Sequence, residues 1–250
     1  MKYTLYTFHP TRCHLLIHKT LKPVSTKLFN FLINSLKLSF IPKNKESINM
    51  VFLMSELELI KIILLGRGGM GIVTACEIIA EAAYLSGNFI DVQAYPSFGA
   101  ERRGAPVQAY VKLSRTEKVY DRAQIENPNI LIVFDDSVLT KDVALSLEKN
   151  GVFIVNSTKN PEYFVDEYDL NNTIKVIVAD INFLALEKNL TIDGNPVINT
   201  PILGLLSKAL PDLHLVNLKD VIVNKMGEIL GNLNYDLIEK GYNMAKLLER

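Results

Sequence analysis

Residues 61–104 read KIILLGRGGMGIVTACEIIAEAAYLSGNFIDVQAYPSFGAERRG. The stretch begins with an apolar, β-branched run that is typical of a buried parallel strand. A glycine-dense turn at 66–71 ends this strand, and an alanine-rich amphipathic segment at 72–86 follows as a helix. A second strand, 89–95, leads into a loop at 96–104. Two loops therefore follow consecutive strands, which is where an open α/β sheet binds its ligands.

The rest of the chain continues the alternation of strand and helix. A strand with one better-buried face is expected at 105–114, and 118–120 is expected to pair with it across a turn. The other predicted elements are strands at 59–65, 129–134, 152–156 and 174–179, and helices at 137–149, 181–188, 199–209, 218–230 and 235–249. This pattern predicts an α/β fold of three layers, α/β/α, with a Rossmann-like, mostly parallel sheet.

Composition limits the class of protein. Of the 250 residues, 48% are hydrophobic and 22% are charged, as in an ordinary globular protein. Residues 1–49 carry eight Lys/Arg and one acid, whereas the remainder carries 19 Lys/Arg and 26 Asp/Glu. The acidic body argues against nucleic acid as a partner, because phosphate neutralisation needs a basic face. No segment after the N-terminal region has the length and apolarity of a membrane span, so we expect no membrane association and a cytoplasmic location.

Residues 1–53 form a basic N-terminal extension whose composition differs from that of the body. Met50 and Met54 both precede the first strand, and a start at Met54 would begin the domain directly with that strand. We therefore expect the extension to be disordered or to reflect a mis-assigned start. Residues 54–250 are expected to form a single α/β domain.

Neither the histidines nor the cysteines indicate a metal site. Three of the four histidines, His9, His14 and His18, lie in the extension without acidic or cysteine neighbours. The two cysteines, Cys13 and Cys76, show no metal-ligand spacing. Cys76 falls on the helix after the glycine turn, where we expect a small buried residue rather than a nucleophile. The sequence thus predicts no metal ligand and no catalytic residue on this chain.

The glycine turn matches the spacing of a dinucleotide-binding fingerprint through Gly66, Gly68 and Gly71. Glycines let the backbone approach an anion closely, and a helix N-terminus offers free N–H groups and a positive dipole end. Arg67 adds a permanent positive charge. These features predict a phosphate-binding site, and the alternative is a tight turn that only packs against a partner.

A nicotinamide cofactor is less well supported by the same turn. Such sites use an acid near the tip of the second strand to bind the ribose. Asp91 has about the right spacing in sequence, but it lies early in the strand, and Tyr95 occupies the tip. An NAD site is therefore only an alternative.

The second loop, 96–104, contains a proline, a phenylalanine and two glycines, a combination that is unusual for a loop that is only exposed to solvent. Pro96 fixes an extended start, and Phe98 is an aromatic residue that we expect to be anchored. Glycines bracket Glu101, Arg102 and Arg103. Two adjacent arginines can bind a carboxylate or a phosphate through bidentate hydrogen bonds. The alternative is a solvated charge run, or one arginine paired with Glu101.

Together the two loops resemble the gamma subunit of the 2-oxoacid:ferredoxin oxidoreductases and the corresponding domain, domain III, of the single-chain pyruvate:ferredoxin enzymes. That family shows GRGGQGxVTA after the first strand, and residues 66–75 read GRGGMGIVTA. The family then shows PSFGxERRGAPV, and residues 96–107 read PSFGAERRGAPV, an ending like that of the pyruvate and branched-chain 2-oxoacid enzymes. The resemblance covers about residues 57–248 and also includes Asn199, Thr200, Gly204, Gly241 and Tyr242.

Met70 departs from the family pattern, which has glutamine at this place. An amide that would bond a ligand or a neighbouring loop is replaced by a flexible apolar side chain. The glycine spacing on either side of it is retained.

The resemblance implies a subunit of a multi-subunit enzyme that is not active alone. Such a complex oxidatively decarboxylates a 2-oxoacid with coenzyme A to acyl-CoA, carbon dioxide and reduced ferredoxin, in a reversible reaction. The complex is expected to use thiamine diphosphate, Mg²⁺, iron–sulfur clusters and coenzyme A, none of them held by this chain alone. The implied partners are alpha, beta and ferredoxin-like delta subunits, with ferredoxin as the electron acceptor.

The residues singled out as a site all belong to the two loops. We expect Gly66, Arg67, Gly68, Gly69, Gly71, Arg102 and Arg103 to contact coenzyme A, and Pro96, Phe98 and Glu101 to lie at a subunit interface. Two alternatives are a free-standing NAD-dependent Rossmann oxidoreductase and a structural assembly subunit without a ligand of its own.

Intact-mass spectrometry of the natively expressed protein tests the expectation for the N-terminal extension. If the start lies at Met54, the measured mass will lack residues 1–53. A mass that includes residues 1–49 would contradict a later start site.

Overall fold

The computed structural model describes residue 54, residues 56–97 and residues 103–249. The expectation for residues 1–53 lies outside this part of the chain. So do the predicted site residues Phe98, Glu101 and Arg102.

One seven-stranded sheet organises the described part of the chain. Its strands are β1 (Leu59–Arg67), β2 (Asp91–Pro96), β3 (Pro106–Ser114), β4 (Ile130–Val133), β5 (Val152–Asn156), β6 (Lys175–Ala179) and β9 (Lys246–Leu248), in the order β2-β3-β1-β4-β5-β6-β9. A separate hairpin has two residues in each strand, β7 (Thr191–Ile192) and β8 (Asn195–Pro196).

The sheet is mostly parallel, as predicted. Strands β1, β4, β5 and β6 pair in parallel, and β3 and β9 run antiparallel to their neighbours. The parallel strands are almost continuously apolar because helices cover both of their faces. Strand β3 is antiparallel because only a short loop joins it to β2, and a parallel return needs a longer crossover.

Helices cover both faces of the sheet. The helices are α1 (Ile72–Leu85), α2 (Lys141–Leu145), α3 (Pro161–Tyr168), α4 (Ile181–Glu187), α5 (Leu203–Ala209), α6 (Leu215–Met226) and α7 (Glu228–Met244). Side chains of β1 alternate between two core clusters: Ile62 and Leu64 join the cluster with α1 and α4–α7, and Ile63 and Leu65 join the cluster with α2 and α3. The predicted three-layer α/β/α architecture is therefore confirmed.

Capping residues explain one wrong helix prediction. In place of a continuous helix at 137–149, a 3₁₀ turn at Asp136–Val138 precedes the short helix α2. The Asp135 carboxylate accepts a hydrogen bond from Ser137 N, and the Thr140 hydroxyl accepts one from Val143 N. Each of these side chains starts a new element, so the chain cannot continue as one helix.

The C-terminal part differs from the prediction in three ways. Gly227, with φ of 80°, ends α6 and begins α7, so the break lies before the predicted gap at 231–234. The helix predicted at 235–249 ends at Met244, and residues Lys246–Leu248 form β9 along the otherwise open edge of β6. The helix predicted from 199 begins only at Leu203.

The segment predicted to pair as a strand at 118–120 is instead a loop. Its backbone is held by side chains of β2: Val119 N donates to the Asp91 carboxylate at 2.7 Å, and the Gln93 amide donates to Val119 O. These two bonds satisfy the backbone without a strand partner. Helix α3, which begins with Pro161 in its first turn, was not predicted.

Gly204 allows α5 and α7 to cross at very short distance. A Cβ atom at Gly204 would lie 2.1 Å from Ile238 O and 2.6 Å from Tyr242 N. Because both are backbone atoms, a side chain at this position forces the two helices apart.

The substitution Gly204→Ala is expected to lower the free energy of unfolding by about 1–3 kcal/mol through overpacking. Chemical denaturation followed by circular dichroism measures the change. The control is Ser207→Ala on the same helix, where a buried hydroxyl has no hydrogen-bond partner among the described residues, so little loss is expected. Equal stability of Gly204→Ala and the unsubstituted chain would contradict the close crossing.

Candidate functional site

The glycine turn is sterically fixed on both of its sides. At Gly66 a Cβ atom would lie 2.8 Å from Ile72 Cδ1 and 2.9 Å from Phe134 Cβ. At Gly71 it would lie 2.7 Å from Asn199 Nδ2. Gly69 and Gly71 also have φ values of 96° and 74°, which L side chains rarely adopt. The turn therefore needs glycine at these places for steric reasons before any ligand is considered.

The N-terminus of α1 opens at this turn without a capping side chain. Gly71 is the cap residue, and Ala75 N makes the first intrahelical bond, to Gly71 O at 2.9 Å. The N–H groups of the first turn have no intrahelical acceptor, as at every helix start. The first turn also carries no acidic residue. Its positive dipole end is thus available to an anion.

Arg67 ties three loops together. Its Nε donates to the Asp135 carboxylate at 2.7 Å, Nη1 donates to Gly104 O at 2.9 Å, and Nη2 donates to the Ser137 hydroxyl at 2.8 Å. The guanidinium therefore connects the turn after β1 with the loop after β4 and with the loop before β3. Three of its five N–H groups are used by protein acceptors.

Asp135 is held as the ionised partner of Arg67. Partial burial favours the neutral acid, but hydrogen bonds from the Ser137 hydroxyl and N–H and from Arg67 outweigh it. The pKa of the Asp135 carboxyl is therefore lower than its ordinary value.

The second loop is bonded directly to the glycine turn. Gly68 N donates to Ala105 O at 2.9 Å, and Gly104 N donates to Gly68 O at 3.0 Å. Arg103 forms an isolated parallel bridge with Gly68. Its guanidinium donates to the Asp193 carboxylate at 2.9 Å, and its side chain is 73% exposed. Arg103 thus stands beside the turn as an accessible cation.

A cavity of about 510 Å³ lies between these loops. Its volume is in the range of small-molecule sites. It lies at the carboxyl ends of β1 and β4, which are followed by helices on opposite faces of the sheet; such a switch point is the usual ligand position in open α/β sheets. The lining residues are Arg67, Gly68, Gly69, Met70, Gly71, Thr74, Arg103, Gly104, Asp135, Ile192, Asn195, Pro196, Val197 and Asn199.

One wall of the cavity was missed by the sequence analysis. It is the hairpin β7–β8, joined by Asp193 and Gly194 with φ values of 51° and 76°. An Asp-Gly pair between two short extended pieces is the usual signal for such a two-residue hairpin turn. Asn199 completes this side next to Gly71, and its side-chain amide oxygen Oδ1 accepts a hydrogen bond from Thr200 N at 3.0 Å.

The sequence pattern of the family described as pyruvate ferredoxin/flavodoxin oxidoreductase matches residues 61–244. The chain belongs to this family. The matched range includes all residues that line the cavity.

Similar proteins of the family are gamma or PorC subunits. The chain is 36% identical over 185 residues to the pyruvate/ketoisovalerate oxidoreductases common subunit gamma of Pyrococcus furiosus, covering 74% of this chain and 96% of that protein. It is 38% identical over 158 residues to the pyruvate synthase subunit PorC of Methanosarcina barkeri, covering 63% and 81%. The crystal structure of pyruvate oxidoreductase subunit PORC from Thermotoga maritima is similar with a TM-score of 0.65 and 29% identity, covering 77% of this chain and all of that chain.

These relationships confirm the predicted gamma-subunit type. The chain is a subunit of an oxidoreductase complex, and the findings do not fit the alternatives of a free-standing NAD-dependent Rossmann oxidoreductase or of a structural assembly subunit without a ligand of its own. The structure also gives no ribose role to Asp91. Asp91 pairs in register with Ser114, which pairs with Leu59, so it lies at the opposite end of the sheet from the glycine turn.

Met70, which replaces the family's glutamine, bonds to its own turn. Its sulfur accepts a hydrogen bond from Arg67 N at 3.3 Å, and Met70 N donates to Arg67 O at 3.1 Å. The rest of the side chain packs against the larger core cluster while lining the cavity. The thioether thus closes the turn on itself, which accounts for how the turn tolerates methionine.

The predicted ligand residues are brought together only in part. Gly68, Gly69, Gly71, Arg67 and Arg103 line one cavity. Gly66 packs beneath the turn and does not line the cavity. Arg102 lies outside the described residues. Pro96, a predicted interface residue, is exposed at the end of β2. The ligand and interface roles of all these residues stay predictions.

Cys76 is buried as predicted. It is 1% exposed in the core on α1, and burial raises the pKa of its thiol far above the ordinary value. Among the described residues, no group of His, Cys, Asp and Glu is arranged to hold a metal ion. None of the helices in the same part of the chain is long and apolar enough to cross a membrane.

The Arg67–Asp135 pair predicts a pH-dependent contribution to stability. Asp135→Asn is expected to lower the free energy of unfolding at pH 7 by about 1–2 kcal/mol, since charged hydrogen bonds are lost and the pair is partly screened by solvent. Because the folded pKa of Asp135 is depressed, the contribution is full above the ordinary value of 3.8 and is lost as the pH falls through the lower folded value. Urea denaturation of both proteins at pH 7 and near pH 3 measures this. A difference in stability that does not shrink at acid pH would contradict the ion pair.

Proposed function

We propose that this chain is the gamma subunit of a pyruvate-type 2-oxoacid:ferredoxin oxidoreductase, and that its cavity binds phosphate groups of coenzyme A. In the forward direction the complex breaks the bond between C1 and C2 of the 2-oxoacid and releases carbon dioxide. The acyl carbon forms a bond to the coenzyme A sulfur as the thiol S–H bond breaks and its proton is released, and the two electrons released pass to ferredoxin. Similarity to subunits of pyruvate/ketoisovalerate oxidoreductases and of pyruvate synthase supports pyruvate or a branched-chain 2-oxoacid as the substrate.

The observation that carries the coenzyme A contact is the cavity at the N-terminus of α1. Glycines let the backbone come close to an anion there, and the first helical turn offers N–H groups and contains no acidic residue. Arg103 places an exposed guanidinium at the rim, where it can form bidentate hydrogen bonds with a phosphate. Two sources of positive potential, the N-terminus of α1 and Arg103, thus converge on one cavity.

The chain's own residues bind and orient in this proposal, and they carry out no chemical step. The partners are alpha and beta subunits and a ferredoxin-like delta subunit, which hold thiamine diphosphate with Mg²⁺ and the iron–sulfur clusters. Among the residues that the structure describes, no three or more His, Cys, Asp and Glu are grouped so that they could hold a metal ion. The cytoplasm is the proposed location, because coenzyme A and ferredoxin are available there.

The variant Arg103→Ala tests the proposal in the assembled complex. We expect the apparent KM for coenzyme A to rise about 5- to 20-fold, the lower range for loss of one charged hydrogen-bonding group at an exposed site. The KM for the 2-oxoacid and the amount of intact complex should stay unchanged. Steady-state kinetics with ferredoxin reduction and size-exclusion chromatography measure the three quantities.

Arg122→Ala is the matched control, because Arg122 is an exposed arginine on the loop after β3 and does not line the cavity. Its KM for coenzyme A should equal that of the unsubstituted complex. If Arg103→Ala leaves this KM unchanged while the complex stays intact, the two loops serve assembly and the ligand contact is wrong.

A further inference from the structure

The β7–β8 hairpin beside the cavity has a well-defined turn, but few contacts fix its position. Asp193 and Gly194 both have positive φ, so the turn is fixed by its own backbone geometry. Each strand has only two residues, and Val197 N donates to Leu190 O at 2.9 Å to close the base. A two-stranded ribbon of this size has little stability of its own. Its position therefore depends on what holds it from outside.

The hairpin contributes the apolar side of the cavity. Ile192, Pro196 and Val197 line it opposite the glycine turn, together with Asn195. Ile192 is nevertheless 66% exposed, so little packing anchors the tip. A displacement of the hairpin would change the width of the cavity without disturbing the core.

An ion pair connects the tip of the hairpin to the second loop. Asp193 accepts a hydrogen bond from the Arg103 guanidinium at 2.9 Å, and the two side chains are 73% and 67% exposed for Arg103 and Asp193 respectively. Exposed pairs of this kind are weak and are screened by salt. The Arg67–Asp135 pair differs, because Arg67 has two further protein acceptors and its partner Asp135 is only 24% exposed. Of the two cavity arginines, Arg103 is therefore the one that can exchange its partner.

Asp193 places a carboxylate on the cation that the cavity offers to an incoming anion. A phosphate group carries more charge and more acceptor oxygens than a carboxylate, so it can replace Asp193 on Arg103. The same replacement removes the tether between the second loop and the hairpin tip.

We propose that the Arg103–Asp193 ion pair is a latch, which tethers the tip of the hairpin to the second loop beside the cavity and which the phosphates of coenzyme A open by displacing Asp193. The inference rests on the proposed function, because it requires an anionic ligand at Arg103. Asp193 is then a positioning residue that lowers the affinity for any anion too weak to displace it.

The variant Asp193→Asn removes the competing charge and keeps the turn, because asparagine also tolerates the left-handed conformation before glycine. In the assembled complex the apparent KM for coenzyme A is expected to fall about 2- to 5-fold, as loss of an exposed ion pair implies. In an Arg103→Ala background, the same substitution should leave the KM unchanged. Asp166→Asn, which alters an exposed acid on α3, is the control for net charge and should have no effect.

Hydrogen exchange provides a readout that does not depend on turnover. Coenzyme A should speed exchange of the hairpin amides in the unsubstituted complex, and Asp193→Asn should show the faster exchange without coenzyme A.

If Arg103→Ala raises the KM but Asp193→Asn changes neither KM nor exchange, the latch is overturned and the ligand site stands. If Asp193→Asn lowers the KM equally without Arg103, the pair is not the cause and the latch is again overturned. An unchanged KM in Arg103→Ala instead overturns the ligand site itself.

Discussion

The position of the cavity depends on the Arg67 guanidinium. At a switch point the chain leaves neighbouring parallel strands toward opposite faces of the sheet, so the loops after β1 and β4 diverge beyond the ends of the strands. Arg67 joins them by bonds to Asp135 and Ser137, and its bond to Gly104 O adds the loop before β3. A lysine would place one point charge there, whereas the planar fork meets acceptors in three directions. Without this contact the turn would still be bonded to the loop before β3 through Gly68, but it would lose its side-chain link to the loop after β4.

The two described arginines of the motifs have different roles: Arg67 connects the loops, and Arg103 lies exposed at the rim of the cavity. Arg67 was expected to supply charge to a ligand, but the structure uses most of its hydrogen-bonding capacity internally. Arg103 has a single exposed partner among the described acids and stands at the opening of the cavity. An anion site needs both properties, since a fixed frame keeps the donors in place and an exposed cation reaches the ligand. Sequence proximity to a glycine turn does not tell which arginine has which role.

The sequence was sufficient for the sheet and for the turn because those depend on local patterns. Continuous apolar runs marked β1, β4 and β5, and the glycine spacing marked the start of α1. It was insufficient where a residue acts through a distant partner. Asp135 caps a 3₁₀ turn at the start of the predicted helix 137–149 and pairs with Arg67, which lies 68 residues away. The hairpin at Asp193 had a readable turn signal, but only the fold shows that it faces the glycine turn. Residues 246–248 carry a helical pattern and still form a strand, because the open edge of β6 accepts them.

The contact between Gly66 and Phe134 has a consequence for how the site comes into being. The turn has its shape only when Phe134 has arrived at the end of β4, since the space at Gly66 is bounded by that side chain. Strands β1 and β4 join residues almost 70 positions apart, and such non-local pairings form slowly. A peptide that contains only β1, the glycine turn and α1 therefore lacks Phe134, the residue against which the turn packs. The geometry of the motif therefore depends on the completed sheet, and the motif alone does not carry it into another protein.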